Sequence, residues 1–270
     1  MSLIDSIYTR RSVRSYRIEA LDEADMLKIK AFINHLEIPF EHNVELKIFK
    51  AESKKKLYTM FSAPKDNLAI LAETDMVSIS KAGFIGELAV LYATSLGIST
   101  CWFGHYHLKT LNTLMPHMEV TEEDPRWSYG KGIVNGRRAI AITPLAYHKE
   151  KGLRLIDRIQ ASVMSHKRKP LEVLLTGKKN LSEPVKYALE LARLAPSAAN
   201  LQFWRFHVSK DETQIRIAMP VGYKHPKWEH PNVDIGIAAS HVYLGLKERK
   251  IPFAIEIKEE EGCAAWYFKL

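Results

Sequence analysis

The chain has 270 residues, 46% hydrophobic and 26% charged. This is the mix of a globular protein that can bury a sizeable core, with no stretch biased enough for disorder. Its two cysteines, Cys101 and Cys263, form no CxxC pair, which argues against a disulfide scaffold and suits a reducing cytoplasm. The net charge of +8 is compatible with a nucleotide cofactor, nucleic acid or an acidic surface, and does not choose among them.

Met1 to Asp5 carry a charge and no apolar core, so no secretory signal is expected. Asp22 is placed to cap a helix whose inner face is Leu27, Ala31, Phe32 and Leu36. Val44-Glu45-Leu46-Lys47-Ile48 then alternates, as a strand with one buried face does. Ala82 to Thr100 is almost wholly apolar and imitates a membrane span, but Glu87 near its middle makes a bilayer costly. A buried helix from Gly83 through Gly97 is expected instead, then a strand over Ser99-Thr100-Cys101-Trp102-Phe103. His105 to Gly136 is polar and ends on the hairpin signal Asn135-Gly136, an insertion of the kind that covers a site. Ala139 to Ile142 reads as a strand, and His148 to Lys169 is a basic link.

The same order then recurs about 160 residues on. Ser182-Glu183-Pro184 opens a helix with Ser182 as cap, and Val185, Ala188, Leu189 and Ala192 line its face. Trp204, Phe206 and Val208 alternate as a strand. A long helix runs from Asp234 to about Lys250, followed by strands over Ile251–Ile257 and Ala264–Phe268. Each half therefore reads helix, strand, long helix, strand, strand. That is an α+β unit duplicated, with halves over 1–150 and 151–270 interlocked in one unit.

Two segments carry candidate chemistry. Arg10-Arg11-Ser12-Val13-Arg14-Ser15-Tyr16 offers forked cations and hydroxyls, the donors a phosphate needs; a solvated basic run has the same composition. Leu194-Ala195-Pro196-Ser197-Ala198-Ala199-Asn200-Leu201-Gln202-Phe203-Trp204 has small residues that let backbone approach a flat ring and short polar groups that can read heteroatoms. It reads equally as a helix C-terminal loop satisfying itself. Histidines at 105, 107, 225 and 230 lack metal-ligand company, so no metal is expected. Gly130-Lys131-Gly132 only begins like a dinucleotide fingerprint.

Together these residues resemble the FMN-dependent nitroreductase family. Arg-Arg-Ser-x-Arg-x-Tyr resembles its phosphate motif, and Pro-Ser-x-x-Asn-x-Gln-x-Trp its second flavin motif. Ser95 to Gly104 is similar to the segment whose backbone meets the flavin edge, and Lys167-Arg168-Lys169-Pro170 to its basic tail. The resemblance implies a nitroreductase-like fold, two half-repeats packed as a pseudo-dimer with antiparallel or mixed sheets. It implies one FMN held by Arg10, Arg11, Ser12 and Arg14 with Arg168, by Thr100, Cys101 and Trp102, and by Pro196, Ser197, Ala198 and Asn200. No side chain is implied as catalytic, since the flavin does the chemistry between NADH or NADPH and a small acceptor such as a nitroaromatic or quinone. Residues 170–176 and 36–43, where a second site would lie, have lost the arginine and serine, and Phe203 replaces a usual proline. The family is typically dimeric and this chain resembles the dimer fused, so a cytoplasmic monomer is expected, with no nucleic-acid or membrane partner. An FMN carrier or sensor without turnover is the alternative, and a basic nucleic-acid-binding protein a weaker one.

Overall fold

The computed structural model describes residues 1–17, 19–51, 57–58, 63–107, 110–111, 114–115, 121–122, 132–134, 137–149, 167–223 and 230–270. Most of the expected cover over 105–136, the Asn135-Gly136 turn, Gly130, Lys131, His225 and most of the basic link lie outside them.

Ser2 opens a helix that the sequence reading passes over, α1 (Leu3–Thr9). Its hydroxyl accepts from Asp5 N–H at 3.1 Å, and its own N–H donates to the Asp5 carboxylate at 3.0 Å. Each bond satisfies a group the helix itself leaves without a partner. Asp22 and Ser182 do stand at the N-caps of α2 (Glu23–Asn34) and α5 (Glu183–Arg193), but neither side chain makes a capping bond. The entrance to α5 is tied instead by Ser182 N–H donating to Glu212 at 2.9 Å.

In the first half, β1 (Glu45–Lys50), β2 (Asp66–Glu73), β3 (Thr121–Glu122), β4 (Gly132–Val134) and β5 (Arg137–Leu145) form an antiparallel sheet, order β1-β2-β5-β4-β3. In the second, a helical turn α4 (Leu171–Leu174) leads into β6 (Leu175–Gly177), β7 (Arg205–Val208), β8 (Gln214–Ala218), β9 (Ala254–Glu260) and β10 (Cys263–Lys269). Their order is β6-β7-β8-β10-β9, mixed because β6 runs parallel to β7. The expected order of elements needs a correction. A further strand, β2 or β8, stands before each long helix. β2 escapes a period-2 reading because it is buried on both faces, so Leu68 to Ala72 is a continuous apolar run.

The long helices are α3 (Met76–Ser95) and α6 (His230–Glu248). α3 starts at Met76, not Gly83, because Asp75 caps it by accepting Ser78 N–H at 2.9 Å. It is long and apolar enough to cross a membrane, yet it is buried almost all round inside the fold. α3 and α6 cross at the centre. A Cβ on Gly236 would lie 1.8 Å from the Ser80 carbonyl oxygen, and one on Gly83 2.1 Å from the Val233 carbonyl oxygen. Each glycine meets the residue three positions before the other, the reciprocity of a two-fold interface held within one chain.

Two expected strands are altered. β9 begins at Ala254 because α6 ends in a left-handed Lys250 (φ 54°), with Ile251 N–H reaching back to Leu246 O at 3.0 Å. Ser99 to Phe103 is no continuous strand. Ser99 bridges to Ala146, just past the end of β5, and Phe103 to Ile142 within it, while Thr100 between them pairs with Ser12.

Candidate functional site

α1 ends at Arg10, whose N–H donates to Ser6 O at 2.8 Å. The Arg10 side chain is 5% exposed, and its Nε lies 3.8 Å from Oε1 of fully buried Glu87 in mid-α3. Its Nη1 is buried without a hydrogen-bond partner among the described residues. Ordinarily such a group costs about 1–3 kcal/mol, more when charged.

Beyond Arg10 the chain lies along the exit of α3. Ser12 bridges Thr100 in parallel, and Val13 N–H donates to Thr100 O at 3.0 Å. Burial pushes the Cys101 thiol up; the Arg14 charge, a hydrogen bond from Ser12 and the Arg10 charge oppose it. The structure thus brings Arg10, Ser12 and Arg14 around Thr100 and Cys101, while Arg11 is exposed. Cys101 N–H is taken by Thr143 Oγ1 at 3.0 Å, whereas Thr100 Oγ1 is buried and unpaired among the described residues. Trp102 turns its indole inward, and its Nε1–H donates to Glu87 Oε2 at 2.7 Å.

The second half contributes Arg168. Its Nε donates to Leu194 O at 3.1 Å and its Nη1 to Asn200 Oδ1. Burial first, then the charge of Arg10, pushes Arg168 down to about 10; Glu87 opposes this and Arg193 adds to it. Arg168 still carries its charge at neutral pH. Arg10 of the first half and Arg168 of the second thus lie close enough for their charges to interact.

The loop after α5 is tightly wound. Ala199, Asn200 and Gln202 are left-handed, at φ 49°, 56° and 49°, a conformation side chains rarely adopt unless surroundings hold it. Pro196 is buried at its start. The Ser197 hydroxyl accepts Gln202 N–H at 3.0 Å, and Asn200 Nδ2 donates to Lys167 O at 2.9 Å. Gln202 Oε1 accepts Lys169 N–H at 2.7 Å, so the loop grips the Lys167–Lys169 segment. Ala198 N–H lies 3.1 Å from each carboxylate oxygen of Asp234 in α6. Burial pushes Asp234 up to about 8, against that bond. Phe203 packs on Tyr223 at 5.2 Å, with Lys169 Nζ 5.9 Å from its ring centre.

The corresponding loop of the first half is filled. Phe40 stands edge-on to Phe84 and Trp266 at 5.1 and 5.2 Å, and Leu171 and Leu174 are buried in the same core.

Sequence reasoning missed two residues at the junction. Glu87 served only to argue against a membrane, and His241 was not singled out. His241 Nε2 lies 3.2 Å from Glu87 Oε1, and its Nδ1 2.9 Å from Leu191 O. The available signal was a carboxylate and an imidazole each set among small and apolar neighbours in the middle of a long helix.

The family model described as "Putative TM nitroreductase" matches residues 2–122 and 125–246. Among solved structures, a "putative nitroreductase" from Thermotoga maritima aligns over 100% of this chain and 94% of its own, at 22% identity and TM-score 0.63. A Bacteroides fragilis nitroreductase solved with bound FMN aligns over 57% of this chain and 92% of its own, at 19% identity and TM-score 0.39. No curated protein matches the sequence. The first of these structures agrees in fold along the whole chain. This chain belongs to the nitroreductase family, in the form that carries two tandem repeats in one polypeptide.

Proposed function

We propose that the chain is an oxidoreductase that holds one FMN between its halves and uses NADH or NADPH to reduce a small acceptor such as a nitroaromatic or a quinone. The observation that carries this reading is the Arg10–Arg168 locus. Two arginines are drawn together from opposite halves, with a buried Nη1 lacking a partner among the described residues. Like charges repel, and Glu87 beside Arg10 is shared with His241 and Trp102, so the pair suits a further anion such as a phosphate monoester at about −1.5 to −2. The residues present fit that group.

Arg10 and Arg168 would bind the phosphate, with Ser12 and Arg14 beside them and Arg11 exposed at the rim. Thr100, with its unpaired hydroxyl, and the backbone from Thr100 to Trp102 would face the flavin from the first half. Pro196, Ser197, Ala198 and Asn200 would wall it from the second, a backbone surface free of bulky side chains. The flavin, when bound, supplies the hydride chemistry; the protein binds, orients and excludes water. No side-chain acid or base is assigned, since solvent can deliver protons. The aromatic packing of Phe40 at the counterpart loop supports one site per chain, and the protein would act as a monomer that imitates the family dimer.

The test is an absorption spectrum of the purified protein before and after anaerobic NADPH, then NADH. A bound flavin that bleaches rapidly with either is the expected result. A flavin that neither reduces would indicate a carrier or sensor, and no binding of added FMN would remove the site.

A further inference from the structure

We propose that Glu87 is a positioning residue for Arg10, held in that role across the two halves by His241; this rests on the phosphate reading above. Both oxygens of the Glu87 carboxylate are engaged. Oε2 accepts the Trp102 indole N–H at 2.7 Å, and Oε1 lies 3.2 Å from His241 Nε2. These contacts fix the carboxylate plane from two directions. What remains is the flank of Oε1, and Arg10 Nε lies there at 3.8 Å.

The donor count at His241 sharpens this. Its Nδ1 faces the Leu191 carbonyl at 2.9 Å, which can only accept, so Nδ1 carries a hydrogen. A hydrogen bond between Nε2 and Oε1 then requires one proton between them, on the imidazole or on the carboxyl. In either form the pair is neutral overall. Glu87 therefore orients Arg10 while, counted together with His241, it adds no net negative charge to the locus. Holding the guanidinium by Nε leaves the two Nη groups, one of them the buried Nη1 without a partner among the described residues. His241 belongs to α6 and Glu87 to α3, so the glycine crossing of these helices sets the geometry of the phosphate clamp.

The experiment compares FMN with riboflavin, which lacks the phosphate, by fluorescence titration of the wild type, Glu87→Gln and the shorter carboxylate Glu87→Asp. The wild type should bind FMN more tightly. Both variants should lose about tenfold or more in FMN affinity, the equivalent of one charge-assisted bond. Riboflavin should lose clearly less than FMN does, about threefold at most, since Glu87 acts on the phosphate through Arg10 and touches the flavin wall only through the Trp102 indole. Tighter FMN binding by Glu87→Gln would mean that Glu87 merely neutralises Arg10 and would overturn the proposal. Equal weakening of both ligands would make Glu87 a scaffold residue and overturn it too, as would unchanged affinities. If the wild type does not distinguish FMN from riboflavin, the phosphate reading itself fails.

Discussion

Replacing Gly236 by alanine tests the helix crossing on which the site depends. In the middle of a helix, alanine is intrinsically better than glycine by up to about 1 kcal/mol. Here the added methyl would lie 1.8 Å from the Ser80 carbonyl oxygen and 2.9 Å from Phe84 N. Those atoms form one rung of the α3 hydrogen-bond ladder. Neither belongs to a side chain that can swing away, so α6 must retreat. Real Cβ contacts begin near 3.0 Å, and moving from 1.8 Å requires about 1.2 Å of separation. Overpacking of this kind costs about 1–3 kcal/mol or more, which outweighs the gain in propensity. A net loss of roughly 1–2 kcal/mol lowers the melting temperature by about 2–8 °C in a chain of this size. The same retreat takes His241 out of reach of Glu87, now 3.2 Å away, so FMN affinity should fall as well. Gly97→Ala is the control, since its Cβ would meet nothing within 4 Å and the cost is only the left-handed φ of 77°, about 1 kcal/mol. Thermal unfolding and FMN titration of both variants decide the matter. A Gly236→Ala protein as stable as the wild type would refute the reasoning.

Three further outcomes follow from the same geometry. The folded-state pKa of Asp234, about 8, lies above the unfolded value of about 3.9. Its contribution is therefore complete below about pH 4 and is lost as pH rises toward 8. Asp234→Asn should gain on the wild type in denaturant unfolding between pH 5 and pH 9, and a constant difference would count against a buried neutral carboxyl. Phe40→Ala removes the partly buried ring seated against Phe84 and Trp266 and should cost about 2–3 kcal/mol in urea unfolding, below the range for a fully buried ring, without creating a second flavin site. Trp102→Phe removes the indole N–H that holds Glu87. It should reduce FMN affinity more than riboflavin affinity, in the sense expected for Glu87→Gln.

Much of the frame was legible in the sequence because its signals are local. The amphipathic face of α5, the alternation in β1 and β7 and the apolar length of α3 are each contained in one segment. The duplication showed through the constant order of those segments. β2 was not legible, since a strand buried on both faces has no period of two. The Ser99–Phe103 segment looked like a strand because its composition is right, but Ser12 captures Thr100 from outside the sheet and divides it. The arginines at positions 10, 11 and 14 stood out as a run, and the left-handed loop after α5 as a row of small and polar residues. Glu87 and His241 did not, because their meaning lies in a contact between residues 154 positions apart. Periodicity carries no trace of such a contact.

The most direct measurement is an equilibrium titration of the flavin-free protein with FMN, run on the wild type, Arg10→Ala and Arg168→Ala. Saturation at one FMN per chain, with affinity lowered about tenfold or more by either substitution, is what a single site clamped by both halves predicts. Saturation near two per chain, or an Arg168→Ala variant that binds as the wild type does, would contradict it.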